Sequence, residues 1–342
     1  MMSSNRQKMR HTGASGFSLI EFMVAMVLGL IIVGGAISVY LASKRSFTEV
    51  EQVASISDNG RFALQLITYS ARHIGFFGGA APADIDQDGS LGAVTGDCSA
   101  PAAAYDTASA IVAVRASSAS VLGCITDARP NTDVLIVKGV EPSPQYDADP
   151  DDPNAPRDGV ISFPAGAWSN QETYLVTNSE RGILLDGADT PPDVREGTAY
   201  ALGVAWPYSL QIYYVRDAGI PTLARKVLAW DTATSSMSIQ TQDLVPDVEN
   251  LRFLFGFDSN NNGEVDTVGN LTAVTTANAW DSVSSMQAFI LLRGDATDAA
   301  YDNNKTYQLG DTSITPGDNM RRILLHSEIT LRNPRLVLRG GA

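Results

Sequence analysis

The chain has 342 residues, 44% hydrophobic and 18% charged, an ordinary globular balance and enough length for one large domain or two modest ones. Its formal charge is −14, and because residues 1–16 hold Arg6, Lys8 and Arg10 with no acid, the remainder carries −17. A body this acidic repels phosphate backbones, which argues against nucleic acid as a partner of the bulk surface while leaving a local basic groove open.

In chain order, the first element is an apolar run from Phe17 to Ala42, 26 residues with a single charge at Glu21. At ~1.5 Å per residue a helix of that length crosses a ~30 Å hydrocarbon core. The cations before it, with His11, favour a cytoplasmic N-terminus and place the bulk of the chain outside the cytoplasm, although Lys44-Arg45 follow the run. A cleaved secretory signal has a shorter apolar stretch, about 7–15 residues, and ends in a small-x-small site, so it does not fit. A plain anchor explains the length but gives no reason for a carboxylate one turn into the bilayer, where it costs roughly 2.5–3.5 kcal/mol on insertion scales.

The string Gly16-Phe17-Ser18-Leu19-Ile20-Glu21 resembles the type IV prepilin signature. The resemblance implies that a prepilin peptidase cuts after Gly16 and methylates the new N-terminus at Phe17, and that Glu21 serves assembly. Cleavage would leave an amine at Phe17 that a neighbouring subunit's Glu21 can neutralise in a low-dielectric filament core. With an exported head, Cys98 and Cys124, the only two cysteines, are expected to form a disulfide; in the cytosol they would be free thiols.

Residues 43–79 continue the helix in amphipathic form, with Phe47, Val50, Val53, Ile56, Ala63, Leu64 and Ile67 at three- and four-residue steps. That stripe is expected to pack on a sheet, with Asn59-Gly60 as its weak point, since an interior glycine costs ~1 kcal/mol. Residues 80–205 are rich in Ala, Gly, Asp and Pro and form a loop-rich insertion region with short strands at Ile111–Val114, Val134–Val137, Tyr174–Val176 and Ile183–Leu185. Residues 206–342 are more regular, with strands at Leu210–Val215, Leu223–Leu228, Leu251–Phe257, Met286–Leu292 and Ile323–Leu331 and a turn at Asp217–Pro221. A helix followed by mainly antiparallel strands is an α+β pattern. It agrees with the pilin fold, in which a long N-terminal helix lies on a sheet. The stretch Asp58–Gly78, then Val248–Phe257, Trp280 with its following MQAFILLR, and RRILLHSEITLRNP from Arg321 resemble PilW-type minor pilins; residues 80–205 show no such pattern.

Three acidic runs invite a test for calcium. Asp258, Asn260, Asn262, Glu264 and Asp266 with Gly263 sixth match the first half of an EF-hand loop, but position twelve is Gly269; a calcium loop and a polar Asn-Gly hairpin both remain open. Asp84, Asp86 and Asp88 repeat the spacing more weakly, with Thr95 at position twelve. Asp147, Asp149, Asp151 and Asp152 lack the glycine and read as a disordered surface loop. Two cysteines with His73 and His326 make no zinc set, and no phosphate loop or serine triad is recognisable.

The resemblance implies a minor pilin in a pilus tip or initiation complex and no catalytic residues. Its partners would be other minor and major pilins, the prepilin peptidase and the inner-membrane assembly platform, with a tip adhesin as a further candidate. It would sit in the inner membrane as a single pass with a periplasmic head, then in the filament. The alternatives are a type II secretion pseudopilin, an adhesive head built from residues 80–205, and an anchored hydrolase using carboxylates.

Overall fold

The computed structural model describes residues 16–260 and 262–333; the basic leader at 1–15 lies outside the described residues. One α-helix, α1, runs without interruption from Leu19 to Arg72, and the chain's two compact units divide within it, after Gln52. In the first unit every described residue as far as Glu51 is exposed, apolar ones included. Such a segment keeps its backbone hydrogen bonds internal, as a lipid-facing span must.

The second unit begins at Val53, and there the helix becomes one-sided. Ile56, Gly60, Ala63, Leu64, Ile67, Ser70 and Ala71 are buried, at steps of three and four that line one face. Gly60 is no break. A Cβ there would sit 2.5 Å from Leu325 Cδ1 and 2.7 Å from Leu292 Cδ1, so the missing side chain lets the helix lie close on the strands. The helix ends earlier than the apolar pattern suggests. Gly75, at φ +72°, turns the chain, and its N–H donates to Lys138 O at 3.2 Å.

The strands, in chain order, are β1 Ile85–Gln87, β2 Ile111–Arg115, β3 Asp133–Val140, β4 Thr173–Thr177, β5 Gly182–Asp186, β6 Val204–Ala218, β7 Ile220–Asp231 and β8 Ser236–Pro246. They are followed by β9 Val248–Phe257, β10 Thr267–Asn270, a short helix α2 Leu271–Ala277, then β11 Val283–Arg293, β12 Tyr307–Leu309, β13 Thr312–Ile314 and β14 Arg322–Thr330. The first eight form a single sheet in the order β1-β5-β4-β6-β3-β2, with β7 and β8 added along β6; only the β1–β5 pair is parallel. A second, antiparallel sheet has the order β10-β9-β11-β14, and β12–β13 is a separate hairpin. The strands of residues 80–205 thus share a sheet with β6–β8.

Alternation along β3 explains why all eight of its residues are buried. Leu135 and Val137 face a core shared with α1 residues Ile56, Leu64 and Ile67 and with Leu251, Phe253, Met286 and Ile290 of the second sheet. Val134 and Ile136 face the opposite core, with Ile212, Tyr214 and Ile125, under the segment stapled by Cys98–Cys124. A strand covered on both sides reads as a continuous apolar run, as in VLIV. At about 1.5–3 kcal/mol for each fully buried aliphatic or aromatic side chain, these two cores dominate the stability of the head.

Asp133 is a buried charge that ties the sheets together. Its carboxylate accepts from Arg115 Nε at 2.5 Å, Arg252 Nη1 at 3.3 Å and Phe253 N at 3.0 Å, linking β2 and β3 to β9. Burial nevertheless pushes the carboxyl up to about 6, against the pull of Arg115.

Candidate functional site

The candidate processing segment precedes the helix. Gly16, Phe17 and Ser18 are non-helical and exposed, and α1 starts only at Leu19. Phe17 is 84% exposed, and nothing lies within 4 Å of where a Gly16 Cβ would be. The bond between them is an open, unstructured peptide with a small residue before it.

Glu21 occupies the first turn of α1, and its Oε2 accepts from Ser18 N–H at 3.4 Å. Helices leave their first N–H groups without internal partners and carry a partial positive charge at that end, so a carboxylate here is favoured locally. The arrangement sets the exposed Gly16–Phe17 bond just ahead of the only charge in the apolar run. Cutting it would create a new cation close in sequence to that carboxylate.

Several of the acidic side chains brace the turns they sit in. Asp258 is buried; its two carboxylate oxygens accept from Asn260 N at 3.0 Å and Gly263 N at 2.6 Å. Asp266 takes Ser259 N at 3.0 Å and Asn260 Nδ2 at 2.6 Å, while Asn260 and Asn262 accept from Asn262 N and Glu264 N. These bonds hold Asp266 below the ordinary carboxylate range, chiefly through the Ser259 N–H. Asp84 lies in a 3₁₀ turn, Asp86 in β1, and Asp88 accepts from Ser90. Among the described residues no group of three His, Cys, Asp or Glu side chains is placed to hold a metal ion. The run at 147–152, expected to be disordered, is built from turns in which Asp149 and Asp152 accept from Asp151 N and Asn154 N, with Asp147 bracing Asp158 and Gly159.

Cys98 and Cys124 are joined, with Cα atoms 4.7 Å apart. A closed loop of that length is worth roughly 3–4 kcal/mol in the chain-entropy view. His73 sits at the end of α1 with Nδ1 3.0 Å from Tyr69 O, and His326 stacks on Phe289, so neither converges on a nucleophile. A cleft of about 820 Å³ opens beside Tyr105 and Trp280. Its Asp97 accepts from Cys98 N and Ala104 N and so braces the disulfide loop.

Sequence reasoning missed Lys138, fully buried in β3, whose ammonium donates to Pro101 O at 2.8 Å and to Asp106 O. Burial draws it down to about 8. It pins the 101–106 segment to the sheet. A charged residue ending an apolar run, as in VLIVK, was the available signal.

Comparison with known proteins bears on both ends of the chain. Residues 12–37 match the family described as "Prokaryotic N-terminal methylation motif", and residues 212–333 match "Type IV Pilus-assembly protein W". The second match spans β9, β11 and β14 and leaves Asp58–Gly78 and residues 80–205 outside it. No curated protein and no solved structure matches the chain. With its methylation motif at the head of a long apolar helix and an antiparallel-rich head behind it, the chain is a PilW-like type IV pilin carrying a prepilin signature.

Proposed function

We propose that the chain is a low-copy minor pilin that works in a tip or initiation complex of the filament, cleaved between Gly16 and Phe17 and held among its neighbours through Glu21. The observation that carries this reading is the exposed, non-helical Gly16–Phe17 bond directly ahead of an apolar helix whose first turn contains Glu21. A carboxylate in an apolar filament core needs a cation, and the Phe17 amine of an adjacent subunit is the simplest source. The head supports low copy number. Its 8-stranded and 4-stranded sheets make a bulky unit to repeat at the close spacing of a filament shaft. Its partners are other pilins and the membrane assembly platform, and its role is structural.

Mass spectrometry of the membrane-extracted chain should find an N-methylated Phe17. Glu21→Ala should leave processing intact and lower the amount recovered in sheared filaments. An intact leader in cells with active prepilin peptidase would sink the assignment, and a filament content equal to that of the main subunit would overturn the minor role.

A further inference from the structure

The head from Val53 onward holds 19 basic and 35 acidic residues, yet one groove on it is basic. It measures about 540 Å³ and lies between the exposed flank of α1, at Arg61, Phe62, Tyr69 and Arg72, and strand β14 at Ser327; none of the side chains lining it is acidic. Past Arg72 it runs into a space of about 460 Å³ beside Thr330 and Arg332, where Glu328 is the only acid. Phe62 and Tyr69 are 52% and 62% exposed, so the groove offers apolar area as well as charge.

Its arginines are unspent. Arg216 and Arg322 elsewhere in the head are tied to acids, Arg216 to Asp127 and Asp243 and Arg322 to Glu249 and Asp318. Arg61, Arg72 and Arg332 make no ion pair among the described residues. The groove also borders the end of a sheet. β14 pairs with β11 through nine consecutive positions and is the last strand in its order, so among the described residues its outer edge has no partner strand. An edge this long is a template for a further strand.

We infer that this groove docks an acidic extended segment of a neighbouring filament subunit, which adds along β14 and sets its carboxylates against Arg61, Arg72 and Arg332. The charge contrast decides the chemistry of the occupant, because guanidinium groups beside aromatic rings attract carboxylates, whereas the otherwise acidic head repels them everywhere else. The inference rests on the pilin reading, since it requires a filament neighbour.

The test is site-specific photo-crosslinking in the full-length chain in piliated cells, with the crosslinker at Gln65 or Thr330 in the groove and at Glu180 as an exposed control. Adducts from the first two positions, mapped by mass spectrometry to an acidic segment of another pilus subunit, are expected. Arg61→Glu with Arg72→Glu should cut their yield about tenfold. If that pair lowers the level of mature chain, Arg61→Gln with Arg72→Gln, checked for an intact Cys98–Cys124 bond, should still reduce the yield. Adducts to lipid alone, no adducts, or yields indifferent to both pairs, in a chain processed at Phe17 and recovered in filaments, would overturn the groove and leave the pilin reading standing. Failure of processing at Phe17 would overturn both.

Discussion

The two halves of α1 use similar residues in opposite ways. Between Leu19 and Leu41 the helix exposes Ile31 and Ile32 at 65% and 71%, while between Val53 and Arg72 it buries Ile56 and Ile67 at 4% and 0%. The first half is apolar all round, and the second buries one stripe, through Ile56, Ala63, Leu64 and Ile67, while exposing its other flank. A helix of the first kind is built for lipid or for a core of other helices; one of the second kind is built for a sheet. The contrast teaches that one continuous backbone serves two solvents, and that the change in pattern near Val53 marks where the protein's own core begins.

The contrast can be tested by unfolding the intact chain in detergent. All four tryptophans, at 168, 206, 230 and 280, lie in the head, so tryptophan fluorescence reports that unit alone. The largest expected effect is that of Ile67→Ala, which should lower head stability by about 2–5 kcal/mol, because a fully buried isoleucine leaves a cavity between α1 and the strands. Ile32→Ala should leave the same transition unmoved. Equal effects at the two positions would break the division of the helix.

The next effect sharpens the head side of the contrast through pH. Asp133 is raised from the usual 3.8 to about 6 by burial, so the folded head binds that proton more tightly than the unfolded chain does. Its contribution is therefore fully present below about pH 4 and lost as pH rises to about 6, amounting to about 3 kcal/mol across that window. Unfolding free energies measured at intervals from pH 4 to 7 for the wild type and Asp133→Asn should differ in slope only between about pH 4 and 6. Parallel curves would show that Asp133 does not titrate in the native head.

The smallest effect concerns glycine. Gly60→Leu should cost about 1–3 kcal/mol, since its side chain must displace Leu325 and Leu292, whereas Gly34→Leu meets nothing within 4 Å and should leave the head transition in place. A neutral Gly60→Leu would mean that the helix can ride further from the strands.

Much of this was legible in the sequence. The span, the Gly16–Glu21 string and the strands at 111–114, 134–137, 174–176, 183–185 and 251–257 all rest on local pattern, and each has its element or its exposed position in the structure. The β6–β7 turn was readable from Asp217–Pro221, where Gly219 takes φ +87°. Less legible were β8, whose sequence SMSIQTQDLVP is largely polar and earns its place by pairing with β7, and β1, which looked like an acidic loop. The acidic spacing at 258–266 was visible, but its use was not. Backbone N–H groups of the same turn donate to the oxygens of Asp258, Asn260 and Asn262, contacts that the spacing alone does not display.

The sequence by itself determined the apolar span, the processing string, the pairing of the only two cysteines and the α+β order of elements, because each depends on residues close in the chain or on composition. Tertiary structure alone decided that strands from 80–205 join β6–β8 in one sheet, that Asp133 bridges β3 to β9 across 119 positions, and that three arginines line a groove on an acidic head. Such facts turn on contacts between residues distant in sequence. They are fixed when the sheets close on α1, and periodicity along the chain carries no record of which strand will become the neighbour.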